Sequence, residues 1–545
     1  MPTHDSDHLD RQDEATPAGP AAVTAGAGSV DLPMTGISRT GDRANPLRRF
    51  LRTEAASAGI LMASVLIAVA WANISPASYG QVWHTAISAQ LGPWRGSASS
   101  QEVVNQGLMT LFFLVVGLEA RREFDLGDLR ERRKAGLPLL LGVAGMLIPV
   151  GVFTAVNTGT IAMGGWGAAM STDTALSLGA LTVLGRAMPV RVRAFLLTVL
   201  VVDDIVALLV IAVVYSTDVF ALPVAVAGVA FVAYTLTQRL PAQGRQHVRA
   251  ILALTIWAGL LKGGVDPVVA GLLIGLATSA HTPSRGSLEE ATAMVRRFRE
   301  RPVPELAHTA IGSLTASLSI NTRLQYQLHP WTSRVVVPAF ALANAGVSVS
   351  WSSITQAAHS PVAAGIVLAY VVGKPVAIGG GAWVLSKFAP VSLRPHVGVG
   401  AALGTGTAAG IGLTVSLLVA NLAFVGADLQ NAKLAVLTAA ALSATLTWAV
   451  FRALGALPET ARVVAVHGTG REAVDLVEEP DNELDHILGP INAAVTVVEY
   501  GDFECGWTAR SLPTTTELIG GPPGHQVRVA SSAAHRRAPP CRARR

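Results

Sequence analysis

Six consecutive residues, Val201-Val202-Asp203-Asp204-Ile205-Val206, set the chemistry of this chain. They lie in a stretch from Ala194 to Tyr215 that is long enough to cross a bilayer as a helix and whose only charges are these two aspartates. A carboxylate at the centre of a membrane helix costs about 2.5–3.5 kcal/mol on insertion scales, so an adjacent pair is a heavy load. Neighbouring residues on a helix point about 100° apart, so one apolar surface cannot cover both. The pair predicts a polar cavity inside a helix bundle, and with it an ion or proton site. Asp173, in Ser171-Thr172-Asp173-Thr174, is a third carboxylate at mid-depth. Lys374, in Val372-Gly373-Lys374-Pro375, lies mid-span and requires a carboxylate partner. One central aspartate can brace it as a purely structural ion pair, which leaves the other as the better cation ligand. Two carboxylates that hold either protons or a small hard cation give exchange directly: the deprotonated site binds the cation through oxygen, and returning protons displace it. Glu119, with Arg121, Arg122 and Glu123, falls at the end of its span, where such residues form an interfacial ion-pair cluster.

These groups need spanning helices to hold them, and the composition supplies them. Of 545 residues 51% are hydrophobic and 14% charged, and the mean hydropathy is +0.46. Spans are expected near 54–73, 103–120, 136–156, 161–184, 192–216, 219–238, 248–263, 266–280, 331–350, 361–386, 397–424 and 431–454. That reading is an all-α polytopic membrane protein of about twelve transmembrane helices. The net charge of +5 comes from arginines gathered in alternate loops, which marks topology rather than nucleic-acid binding. Arg43, Arg48, Arg49 and Arg52 precede the first span and place the N-terminus inside, and twelve spans with the same loop bias put both termini on the cytoplasmic side of the plasma (inner) membrane. Two spans read as broken: Gly164-Gly165-Trp166-Gly167 runs into the Asp173 segment, and Gly404-Thr405-Gly406-Thr407 runs into Gly410-Ile411-Gly412. Paired interruptions in the two halves of a chain point to a transporter site.

Several motifs together resemble the NhaA family of sodium/proton antiporters: Gly117-Leu118-Glu119-Ala120-Arg121-Arg122-Glu123, Ser171-Thr172-Asp173, Val202-Asp203-Asp204, Phe340 to Val347, Gly373-Lys374-Pro375, and Gly410 to Ser416. The likeness covers about residues 50–455. It implies inverted repeats with two broken, crossing helices, and electrogenic exchange of one Na⁺ or Li⁺ for two protons in sodium and pH homeostasis. It further implies that Asp204 is the principal cation ligand and that Asp203 carries protons beside it, paired with Lys374. Asp173 and Lys374 would compensate the facing helix dipoles, with Thr172 nearby. Glu119, Arg122 and His329 would belong to a pH-response region. A homodimer is implied; the partners are the lipid bilayer, Na⁺, Li⁺ and H⁺, with no nucleic acid and no cofactor. Gln106, Asp266, Gln325 and Tyr326 depart from the residues usual in the family, so an altered pH dependence is expected.

Outside the membrane region, residues 1–50 read as a disordered cytoplasmic tail and 457–482 as a linker. The segment 483–545 resembles the start of a thioredoxin-like domain, in Asp485 to Pro490 and Val495 to Cys505, and is truncated. Its run Cys505-Gly506-Trp507-Thr508 has no second thiol, and Cys541 is the only other cysteine, so dithiol exchange is not expected. Three other readings compete: a membrane-tethered thiol redox protein supported only by Cys505, a channel or sensor using the same carboxylates, and an inactive scaffold. Alkylation of Cys505 separates the first from a transporter, and saturable gradient-coupled proton movement separates the second. The third leaves three buried aspartates and a lysine unexplained.

Overall fold

The computed structural model describes residues 46–91, 94–127, 130, 132–184, 190–216, 219–238, 246–281, 285–389, 397–468, 486–488, 495–501 and 527–533. The expected tail before residue 46, most of the 457–482 linker, Cys505 and Cys541 lie outside the described residues.

Helix dominates. Seven described helices are long and apolar enough to cross a membrane, and a bent pair, Val399–Ala409 with Thr414–Ala423, makes eight. In lipid a backbone amide has no water to bond, so an apolar stretch must satisfy itself internally as a helix. The outer faces are apolar too: Leu66, Leu222, Val229 and Ile251 are each more than half exposed, as suits a surface bathed in lipid rather than water. The other expected spans are shorter or less regular. They correspond to the 3₁₀ helix Ile161–Ala169 followed by Thr174–Leu184, to Gln246–Lys262 and Val268–Ala277, and to the run from Ile320 to Asn344.

Tight packing rests on small residues, as it does where lipid and side chain are equally apolar. The helix Val268–Ala277 lies against Ser100–Leu126 so closely that a side chain on Gly275 would sit 2.6 Å from the Leu114 carbonyl oxygen and 2.7 Å from Gly117 Cα. The main apolar core gathers Leu61, Phe113, Phe153, Phe340, Ile366 and Tyr370 from five separate helices.

Two regions depart from the expected spans. The span expected at 331–350 begins a full three turns earlier: Ile320–Trp331 continues through a π-helical turn, Thr332–Val336, into Val337–Asn344. Its first turn is polar, but the buried Asn321 amide donates to the carbonyls of Leu118 and Thr278, at 2.9 and 3.2 Å, which pins that end among its neighbours. Between the first two spans lie a short helix, Pro76–His84, and a hairpin of Ala86–Leu91 against Trp94–Ser99. The hairpin leads into the next span through a capping box, with Ser99 N–H donating to Glu102 Oε2 and Glu102 N–H donating to Ser99 Oγ.

After the last long helix, Gly426–Ala456, a short helix Glu459–His467 docks on the start of the second broken span, where Gly398 N–H donates to the Val466 carbonyl at 2.8 Å. Further on, Val527–Ala533 pairs parallel with Val495–Gly501 and antiparallel with His486–Leu488.

Candidate functional site

The site forms where two interrupted helices meet. Helix Val190–Val214 carries Asp203 and Asp204; the first break supplies Ser171, Thr172 and Asp173; the second supplies Gly410 to Leu413. The breaks touch directly, with Asp173 N–H donating to the Ile411 carbonyl at 2.9 Å. Glycine permits this approach. A side chain on Gly412 would stand 2.6 Å from the Ser171 carbonyl oxygen, and one on Gly410 the same distance from that of Tyr370.

Each break leaves helix ends inside the bundle, and hydrogen bonds from neighbouring side chains meet them. Asp173 serves two N-termini at once. Its Oδ1 accepts from Leu176 N–H at 3.0 Å, capping Thr174–Leu184, and its Oδ2 accepts from Thr414 N–H at 3.3 Å, at the start of Thr414–Ala423. A carboxylate at two positive helix ends matches both dipoles. The opposing carbonyl ends are met by hydroxyls: Thr172 Oγ1 donates to the Ala409 carbonyl at 2.7 Å, and Ser177 Oγ to that of Ala408 at 2.9 Å. Tyr370 Oη reaches the Ala168 and Ser171 carbonyls, at 2.9 and 2.8 Å, and Ser416 Oγ.

Lys374 comes from the spanning segment Pro361–Phe388, between two π-helical turns, Ala369–Gly373 and Val376–Gly380. Pro375 lacks the N–H that a regular helix would use there, and wide turns of this kind recur at functional sites. Lys374 Nζ lies 3.1 Å from Asp203 Oδ2 and 3.2 Å from Oδ1, and both side chains are almost wholly buried. Asp203 Oδ2 also accepts from Thr172 N–H at 2.8 Å. The neighbouring Asp204 is held differently. Its Oδ2 accepts from Thr174 Oγ1 at 2.9 Å, and no lysine or arginine is paired with it among the described residues.

Chemically the two aspartates are therefore unequal. Asp203 is neutralised by a cation of the protein itself. Asp204 offers a buried carboxylate and a threonine hydroxyl, the oxygen set that a proton or a small hard cation would use.

The structure thus brings Asp173, Thr172, Asp203, Asp204 and Lys374 together. The ammonium of Lys374 is directed at Asp203, while the carbonyl ends of the broken helices are taken by Thr172, Ser177 and Tyr370. Sequence reading had no role for Thr174, Ser177, Tyr370 or Ser416; the signal available was hydroxyl-bearing residues clustered beside each break. Glu119, Arg122 and His329 lie on Ser100–Leu126 and Ile320–Trp331, elements that supply none of these groups. Ala120, next to Glu119, packs on Val201 and Val202 immediately before the aspartate pair. Arg122 is exposed and His329 half-buried. On the same helix as Glu119 and Arg122, Asp125 joins Arg121 Nε at 2.9 Å, His281 Nδ1 at 3.2 Å and the Ala280 N–H at 3.0 Å. Of the residues that depart from the family pattern, Asp266 Oδ1 accepts from Val268 N–H at 3.0 Å, and Tyr326 is exposed.

Comparison with known proteins shows which family the chain resembles. Residues 48–451 match the family described as Na⁺/H⁺ antiporter 1. A relative described as Na(+)/H(+) antiporter NhaA 1, from Salinispora arenicola (strain CNS-205), is 44% identical over 475 residues, which is 87% of this chain and 72% of the relative. One of the same description from Mycobacterium sp. (strain JLS) is 37% identical over 468 residues, 86% of this chain and 75% of its own length. Na(+)/H(+) antiporter NhaA of Herminiimonas arsenicoxydans is 35% identical over 486 residues, covering 87% and 76%.

Proposed function

Because the chain belongs to the Na⁺/H⁺ antiporter 1 family, we propose that it expels Na⁺, and Li⁺ in its place, by competition with protons at Asp204 and Asp203. The reading is a secondary transporter, not an enzyme. The observation that carries the mechanism is the inequality of the pair: Lys374 holds Asp203, while Asp204 faces Thr174 with no lysine or arginine paired to it among the described residues. A cation arriving at Asp204 displaces protons shared among Asp204, Asp203 and the Lys374 ammonium paired with Asp203, and exposure of the site to one side at a time makes the exchange obligatory. Two protons moved against one cation make the cycle electrogenic. The touching breaks support alternating access, since small shifts of the half-helix ends move Thr172 and Thr174 against the aspartates on Val190–Val214 while Asp173 keeps the two N-termini capped.

Added to the eight spans above, the four shorter or irregular elements give twelve, with both termini cytoplasmic in the inner membrane. Sodium expulsion driven by an inward proton gradient, pH homeostasis and a homodimeric assembly are the roles and state proposed. Glu119, Arg122 and His329 stand as its pH-response groups. With Gln106, Asp266, Gln325 and Tyr326 at positions that differ from the family's usual residues, the pH profile is shifted. A rate-against-pH curve superimposing on those of pH-gated relatives would remove that idea. The strands at 486–488, 495–501 and 527–533 are read as a thioredoxin-like fragment without redox activity.

Calorimetry on the purified protein tests the site. Na⁺ binding at alkaline pH is expected to release protons, seen as a heat that varies with the ionisation enthalpy of the buffer. Asp204→Asn should abolish both binding and release. Unaltered Na⁺ binding in that variant would place the cation elsewhere.

A further inference from the structure

At the membrane end where Pro46–Ile74 finishes, four amides that the mechanism does not use form one cluster. Asn344 is fully buried at its centre. Its Oδ1 accepts from Gln101 Nε2 at 3.0 Å, Asn105 Nδ2 at 3.2 Å and Asn421 Nδ2 at 2.9 Å, and its own Nδ2 donates to Asn105 Oδ1 at 2.7 Å. The partners come from different parts of the bundle. Gln101 and Asn105 open the span Ser100–Leu126, Asn344 ends Val337–Asn344, and Asn421 lies in Thr414–Ala423, the outer half of the second broken span. Asn421 is seven residues beyond Thr414, whose N–H meets Asp173, so the cluster stands about 10 Å along that half-helix from the ion site.

One side of the cluster is anchored. Tyr79 Oη donates to the Leu342 carbonyl at 2.8 Å and accepts from Gly346 N–H at 3.1 Å. Asn73 Nδ2 donates to the Val347 carbonyl at 2.9 Å, and its Oδ1 accepts from Val349 N–H at 2.7 Å. The end of Val337–Asn344 is thereby tied to the first two helices. The broken half-helix joins the cluster through the Asn421 amide. We propose that this amide cluster is the outer gate of the transport cycle, closed here, and that the Asn421–Asn344 hydrogen bond must part each time the ion site opens outward. The inference rests on the antiporter reading and its orientation. Amides suit a gate of this kind. They seal the path without a charge that would trap or repel the cation, and a neutral hydrogen bond that can be exchanged for one with water is weak enough to open in every cycle.

The test is a reversible tether. In the full chain carrying Cys505→Ser and Cys541→Ser, the pair Asn344→Cys and Asn421→Cys is bridged with a short bis-methanethiosulfonate reagent in everted vesicles, and Na⁺-driven proton movement is followed. Bridging should stop exchange, and dithiothreitol should restore it to the unbridged level. Exchange that continues with the bridge formed would overturn the gate. A cysteine-free parent that shows no exchange would instead count against the antiporter reading. If the double variant does not fold, Asn421→Cys alone decides: in right-side-out vesicles a membrane-impermeant methanethiosulfonate added to the medium should modify it in cycling protein, and no modification during cycling would overturn the proposal.

Discussion

A lysine and an aspartate that are both nearly out of water stabilise each other only as a pair; remove one and the other is a buried, uncompensated charge. Lys374→Ala is therefore expected to lower stability by about 3–5 kcal/mol by leaving the Asp203 carboxylate alone. Adding Asp203→Asn to it should recover most of that loss, although neither variant would exchange normally. Thermal unfolding in detergent reads both effects, and a double variant no more stable than Lys374→Ala would show that the pair is not coupled. At this scale the carboxylates and the lysine were legible, because an ionisable residue inside an apolar span has few reasons to be there. The hydroxyls were not. A serine or threonine in a helix ordinarily bonds its own preceding turn, as Thr405 does to Ala401, so nothing in the residue type says that Thr172, Thr174 or Ser177 reaches across the bundle.

The broken helices hold together through Asp173, one carboxylate capping two N-termini. Substituting an N-cap costs about 1 kcal/mol, so Asp173→Ala should cost about 2 kcal/mol for the two ends together. Asp173→Asn, which keeps an acceptor oxygen, should cost less, and a thermal shift that ranks the two variants the other way would contradict the double-cap account. Gly412→Val meets a harder obstacle, since the added side chain would press on the Ser171 carbonyl and the Tyr370 ring. That variant should fail to reach the membrane in folded form, as judged by size-exclusion profile. Glycine pairs announced both interruptions from sequence, and hydropathy marked most spans. The polar start of the helix at Ile320 escaped because its burial depends on Asn321 finding carbonyls on two other elements. The helix and hairpin between 76 and 99 escaped because their strands are short and carry small, mixed residues.

At the scale of the whole molecule, the transporter extends one short helix past its last long span. Glu459–His467 docks on Gly398, where an added side chain would collide with the Val464 and Ala465 carbonyls, while one on Gly400 would meet the Leu454 side chain. A chain ending after Gly468 should accordingly retain exchange, whereas one ending after Ala456 should be less stable; vesicle activity and melting temperature distinguish them. The polytopic helical architecture was readable from composition because lipid imposes one rule on every span. The meeting of two breaks in a single site was expected only from the family resemblance and not from composition, since it joins residues more than two hundred positions apart, as Asp173 and Ile411 are. The central claim is exchange through the Asp203–Asp204 pair. Its most direct test is a pH-dye measurement in everted membrane vesicles on addition of Na⁺ or Li⁺, with the wild-type chain and Asp204→Asn at matched levels in the membrane. Cation-dependent dequenching in the wild type that vanishes in the variant is the predicted result; equal dequenching in both would contradict it.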